Sequence, residues 1–261
     1  MPRPMNRKGV SVKNLSAFYE PLNEYKPFGA GIGIADGPFE YVSALGIRLR
    51  WPFTTRMTVV QIQNGDLFLH SPIAYDAGLA KRLETQGRVR HLISPNRGHY
   101  AHIGEWARAF PDAIAWASPR VRERARSQRI DIHFGRDLGP RAPEEWRDDM
   151  DQAIIPGAVL DEVVFFHRPS KTLILADTIM NFELERMRQP YRSIAWLCGV
   201  YAPSGGMPAD LRLALWPKRQ EARPVYQRVL AWEPERIILS HGRCFETNGT
   251  AAIRRAFSWA L

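Results

Sequence analysis

Two histidines three residues apart, His99 and His102, stand in the stretch Ser94-Pro95-Asn96-Arg97-Gly98-His99-Tyr100-Ala101-His102-Ile103-Gly104-Glu105-Trp106. Neutral imidazole is the commonest protein ligand for transition metals, and two rings at this spacing in a loop can converge on one ion. Two further residues of metal-ligand type follow apolar runs downstream: Asp177 after Thr172-Leu173-Ile174-Leu175-Ala176, and His241 after Arg236-Ile237-Ile238-Leu239-Ser240. Three imidazoles and one carboxylate suit Zn²⁺, with Fe²⁺ or Mn²⁺ as alternatives. Taken singly, each residue has an ordinary structural reading. Taken together, they place ligand types at three separate strand ends, where loops converge over a rigid sheet.

The elements that must position these residues are legible in the pattern. Met57–Gln63 alternates and is rich in β-branched residues, Asn64-Gly65 is a hairpin signal, and Asp66–His70 is the partner strand. Tyr75–Gly87 reads as an amphipathic helix. Arg90–Ser94 reads as the strand that delivers the histidine loop, and Ile103–Phe110 as the helix after it, stopped by Pro111-Asp112. Ala113–Ala117 is a short strand, and an Arg-rich helix follows. Asp161–His167 and Thr172–Ala176 are strands joined by the turn Arg168-Pro169-Ser170-Lys171. Residues 183 to 232 read as mainly helical. Arg236–Ser240 is the last strand, and Asn248 is a candidate cap for a closing helix to Leu261. Residues 1–50, with Pro2, Pro4, Pro21, Pro27 and Pro38, read as an irregular arm or lid, leaving 51–261 as the main domain. The Gly-x-Gly at 29–33 lacks the preceding strand and following helix that a nucleotide loop requires.

The 261 residues are enough to bury a large core without disulfides. The two cysteines, Cys198 and Cys244, form no CxxC pair and read as small apolar residues. No apolar run is long enough to span a bilayer, and Met1–Lys13 lacks the apolar core of a secretory signal. A cytoplasmic protein without membrane association is the expectation. The net charge of +9 comes from 36 Lys and Arg, of which only 6 are Lys. The run Arg120, Arg122, Arg124, Arg126 and Arg129 spreads around a helix instead of forming one stripe, so nucleic acid is not the favoured partner. Oligomeric state is not legible.

These motifs resemble the metallo-β-lactamase-like superfamily of metallo-hydrolases. The order is shared: strand and His-rich loop, then hairpin and Asp, then strand and His-Gly. Placing the loop on the superfamily's His-x-His-x-Asp-His motif sets Arg97, His99, Ala101 and His102 on its four ligand positions. Pro156-Gly157-Ala158 falls where Pro-Gly-His is expected. Ala176-Asp177-Thr178 and Ser240-His241-Gly242 resemble the later ligand positions. More narrowly, Phe165 to Asp177 and the flanks of the histidine loop are similar to an uncharacterised branch, domain of unknown function 4336. The resemblance implies a four-layer αββα sandwich, an α/β fold. Three of the superfamily's ligand positions hold Arg97, Ala101 and Ala158, so it implies one divalent metal rather than two. That ion would be held by His102, Asp177 and His241, with His99 near or bound. The implied function is mononuclear hydrolysis of a small-molecule substrate. Glu105, three residues after His102, is the candidate general base in place of the missing Asp. Arg97 is the candidate partner of an anionic substrate group, and His70 ends a neighbouring strand facing the same site. The alternatives are a non-catalytic binding protein on the same fold and a mononuclear iron redox protein.

Overall fold

A computed structural model describes residues 19–43, 50–157 and 160–261. Ala158 therefore lies outside the described residues, as do 1–18 and 44–49 of the expected arm. The strands in chain order are β1 (Tyr25–Gly29), β2 (Ile32–Ser43), β3 (Arg50–Gln61), β4 (Asp66–His70), β5 (Arg88–Ser94), β6 (Ile114–Ala117), β7 (Arg136–Asp137), β8 (Met150–Ile155), β9 (Glu162–His167), β10 (Thr172–Leu175) and β11 (Arg236–Leu239). The helices are α1 (Ala77–Glu84), α2 (Ile103–Ala109), α3 (Val121–Ser127), α4 (Tyr191–Leu197), α5 (Ala209–Leu215), α6 (Arg219–Ala231) and α7 (Gly249–Phe257). Strands β1 to β7 form one sheet in sequence order, and β11-β10-β9-β8 form a second.

Strand alternation turns this order into layers. In β4, Leu67 and Leu69 pack with Leu79 and Leu83 of α1, Trp106 of α2 and Val121 of α3. Phe68 between them points the other way, into an apolar layer shared with Val163 and Phe165 of β9, Ile174 of β10 and Ile238 of β11. Leu173 and Leu175 face Tyr226 and Val229 of α6 and Ile253 and Phe257 of α7. Helices thus cover both outer faces of two packed sheets, the expected αββα sandwich. Central strands buried on both faces carry unbroken apolar runs, as Leu67-Phe68-Leu69 and Leu173-Ile174-Leu175 do. Trp146 anchors the middle layer edge-on, 4.6 Å from Trp116 and 5.0 Å from Phe68 between ring centroids. Each such pair contributes about 0.5–1.5 kcal/mol beyond its buried area.

The irregular arm expected over residues 1–50 is corrected where it is described. Residues 25–43 form β1 and most of the β2–β3 ladder, integral to the first sheet. Pro27 and Pro38 obscured these strands in the sequence. Proline is tolerated at an edge strand or a bulge, and β1 is an edge strand while Pro38 lies within the register shift between Gly37 and Glu40. Asn248 is also corrected: it holds a left-handed φ of 58° before α7 and makes no side-chain cap.

A buried ion pair ties the two sheets beneath the strand ends. Arg56 on β3 bonds Asp36 on β2 at 2.7 Å and donates to the carbonyls of Leu239 and Gly242, both at 2.7 Å. It also lies 3.2 Å from the Cys244 sulfur. Charges this deeply buried persist only when paired and hydrogen-bonded. Both cysteines are free thiols, half-buried.

Candidate metal centre

Three ligand-type side chains meet where the ends of β5, β10 and β11 converge. His99 Nε2 lies 3.2 Å from Asp177 Oδ2, and His241 Nε2 lies 3.1 Å from Asp177 Oδ1. One ligand atom from each residue falls within 4.8 Å of the others.

Each of the three is fixed from behind. His241 Nδ1 lies 2.7 Å from the Thr54 carbonyl, which can only accept, so Nδ1 carries hydrogen and Nε2 is left to face Asp177. Gly242 follows with φ +90°, and a β-carbon there would collide with the Asn181 backbone. The Ser71 hydroxyl holds His99 Nδ1 at 2.6 Å, from a left-handed turn directly after β4. Asn96, fully buried, accepts from the backbone N–H groups of Gly98 and His99 and donates to Asp177 Oδ2 at 2.8 Å. Glu162 on β9 accepts from the N–H groups of Ala176, Asp177 and Thr178 at 2.6, 2.7 and 2.8 Å, clamping the turn that presents Asp177.

Burial disfavours charge on Asp177. The charge on His99 and hydrogen bonds from His241 and His99 outweigh it, so its carboxyl stays well below the usual range. Burial likewise pushes the His99 ring down, but Asp177 reverses the sign and leaves it raised.

His102 is not brought into this cluster. Its Nε2 is hydrogen-bonded to Glu40, and its Nδ1 lies 3.1 Å from Glu105 Oε2. The sequence reading placed His102 first among the ligands; here it stands at the N-cap position of α2 without a side-chain cap, and its ring nitrogens meet Glu40 and Glu105. Glu105 also departs from its expected role, since the oxygen that meets His102 accepts the Tyr75 N–H at 3.0 Å as well. It orients His102 and is not among the residues lining the cavity. Arg97 is absent from that lining too. His70 is wholly buried, edge-on to Phe165, with neither ring nitrogen hydrogen-bonded. Burial drives its pKa down to about 3, so it is a neutral ring behind the site and out of a substrate's reach.

The cavity over the trio holds about 170 Å³. Glu40, His102, Phe53, Tyr100 and Ile73 contribute to its walls, and no Arg or Lys among the described residues lines it. Sequence reasoning missed Asn96, Ser71, Glu162 and Glu40. Only Asn96 left a trace, as Asn-x-Gly at a strand end, the signature of an Asx turn.

Comparison with known proteins places this architecture. The chain superposes on the DIM-1 metallo-β-lactamase with a TM-score of 0.59, covering 91% of this chain and 97% of that one at 13% identity. A metallo-β-lactamase from Hirschia baltica aligns with a TM-score of 0.57 at 15% identity, again over 91% and 97% of the two chains. The Flv1 flavodiiron core from Synechocystis sp. PCC6803 aligns with a TM-score of 0.58 at 10% identity, over 91% of this chain and 60% of that one. The chain has the metallo-β-lactamase fold. Residues 44–188 match the family model described as a domain of unknown function, DUF4336, and the chain belongs to that family. No functionally curated protein matches the sequence.

Proposed function

We propose that His99, Asp177 and His241 hold one divalent metal ion and that the protein is a mononuclear metal-dependent hydrolase of a small molecule. The observation that carries this reading is the convergence of two imidazole nitrogens, each fixed in direction from behind, on the two oxygens of one partly buried carboxylate. Separations of 3.1 and 3.2 Å suit ligand atoms that each bond one ion at ~2.0–2.2 Å. The donor chemistry fits as well. With Nδ1 of His241 turned to the Thr54 carbonyl, its Nε2 is the ring nitrogen presented beside the Asp177 oxygen, and imidazole nitrogen and carboxylate oxygen are donor types such an ion takes.

Two imidazoles and one carboxylate suit Zn²⁺ first, and Fe²⁺ or Mn²⁺ also. When bound, such an ion supplies Lewis acidity and lowers the pKa of water toward ~7. The chain's own part is orientation. Asn96 and Glu162 hold Asp177, Ser71 holds His99, and Phe53, 4.8 Å from the His241 ring centroid, walls the cavity on that side.

The test is turnover of chromogenic esters by zinc-loaded protein, with a chelated sample and His99→Ala as blanks. Turnover that disappears in both blanks supports the reading. A metal-replete protein inactive on neutral and anionic esters alike counts against hydrolysis.

A further inference from the structure

Two further polar residues line the cavity that holds the trio. Glu40 and His102 line it together, joined by a hydrogen bond from His102 Nε2, and Glu105 holds the other ring nitrogen at 3.1 Å. The two carboxylates meet opposite nitrogens of one ring, so they cannot converge on a common ion. The arrangement is a carboxylate–imidazole–carboxylate chain with one end, Glu40, open to the cavity.

Its placement is built into the sheet. Between Gly37 and Glu40, strand β2 gains one residue over β3: Gly37 pairs with Thr55 but Glu40 pairs with Phe53. Bulges re-aim the side chains that follow them, and they recur beside functional sites. Gly37 itself has no room for a β-carbon, because Thr55 and Ile73 close over it. The Thr55 hydroxyl donates to the Pro38 carbonyl at 2.8 Å and fixes the bulge.

We propose that Glu40 is the general base of the cavity, oriented through His102 by Glu105, and that the site takes a small substrate without an anionic group. The proposal rests on the hydrolase reading above. Glu40 stands in for the carboxylate that Ala101 lacks in the histidine loop. The substrate class follows from charge and size: carboxylates line a cavity of about 170 Å³ that no Arg or Lys among the described residues enters. A phosphate or carboxylate group would meet Glu40 with no Arg or Lys among the described residues to offset it. A neutral ester or amide would not.

The step balances as hydrolysis. The oxygen of water bonds to the acyl carbon while its proton passes to Glu40. That proton then goes to the leaving oxygen or nitrogen as the carbon–heteroatom bond breaks and its electron pair departs on that atom. The relay ends as it began.

Electrostatics agree with the assignment. The hydrogen bond from His102 is the main cause that lowers the Glu40 pKa, against its burial, so Glu40 is ionised at neutral pH. Burial lowers His102, but Glu40 and Glu105 together outweigh it and raise the ring.

The experiment uses zinc-loaded full-length protein with p-nitrophenyl acetate and p-nitrophenyl phosphate, and the variants Glu40→Gln and Glu105→Gln. Expected for Glu40→Gln is unchanged metal content, a kcat on the acetate lower by about 10²-fold or more, a similar KM, and loss of the acidic limb of the pH–rate profile. Glu105→Gln should lower kcat by less. Independently of turnover, the NMR titration of the His102 ring should move to lower pH in both variants. An unchanged rate and pH profile in Glu40→Gln, or an unmoved His102 titration, would overturn the relay. Faster turnover of the phosphate would overturn the substrate class. If the wild type binds zinc but turns over neither ester, the hydrolase reading fails, and the His102 titration alone then decides whether the relay exists.

Discussion

Asn96 shows how much of the site depends on residues that are not ligands. Its amide orders the His99 loop with one end and holds Asp177 with the other. Asn96→Ala should lower metal affinity about 10–100-fold, read by competition with a chromogenic chelator. An affinity equal to wild type would show that the Asp177 contact is incidental. Glu162 carries a different burden. Each buried donor left without a partner costs about 1–3 kcal/mol, so Glu162→Ala, which strands three, should cost at least about 3 kcal/mol in urea unfolding. At this scale the sequence was half legible. His99, Asp177 and His241 announce themselves as ligand types after apolar strands. Asn96, Ser71 and Glu162 do not, because their partners lie elsewhere in the chain: Glu162 is 14 to 16 residues from the amides it holds, and Asn96 is 81 from Asp177. His102 was misread because spacing in a loop does not fix direction. At the N-cap position of α2 its two ring nitrogens are taken by Glu40 and Glu105.

Among the elements, strand ends and one bulge do the positioning. Strands β5, β10 and β11 are short apolar runs stopped by Pro95, by Asp177 and by His241-Gly242, and each was legible for that reason. The β1–β2 hairpin was not. Pro27, Pro38 and four glycines between 29 and 37 hide its alternation, although Gly37 and Pro38 sit where a bulge accommodates them. Gly242→Val should be among the costlier single changes at the site. A left-handed φ of +90° and a collision with Asn181 both oppose a side chain there, and the expected result is a lower melting temperature together with weaker metal binding. A Gly242→Val protein with wild-type values for both would contradict the tight approach of the His241 turn to residue 181.

For the molecule as a whole, layer order was the most legible property. Apolar runs buried on both faces, alternating with amphipathic helices, admit few arrangements besides two sheets between helical layers. No helix among the described residues is long and apolar enough to cross a membrane. Stability should respond to acid through buried neutral histidines. Burial lowers the pKa of His70 to about 3 and those of His91 and His167 to about 4. In the unfolded chain each titrates near ~6.5. Because the folded values lie below the unfolded ones, their contribution is fully present above pH ~6.5 and is lost as pH falls toward about 4. The melting temperature should therefore be flat near neutrality and fall across that window, and His91→Gln, although it starts lower, should fall less steeply. A slope unchanged by that substitution would show that carboxylates govern the acid limb. The central claim, one ion held by three strand ends, is tested most directly by elemental analysis of the wild type beside His99→Ala and His102→Ala, purified alike and reconstituted with zinc. The account expects about one equivalent in the wild type and in His102→Ala, and essentially none in His99→Ala. A wild type that takes up no metal, or a His102→Ala protein that loses it while His99→Ala keeps it, would contradict the account.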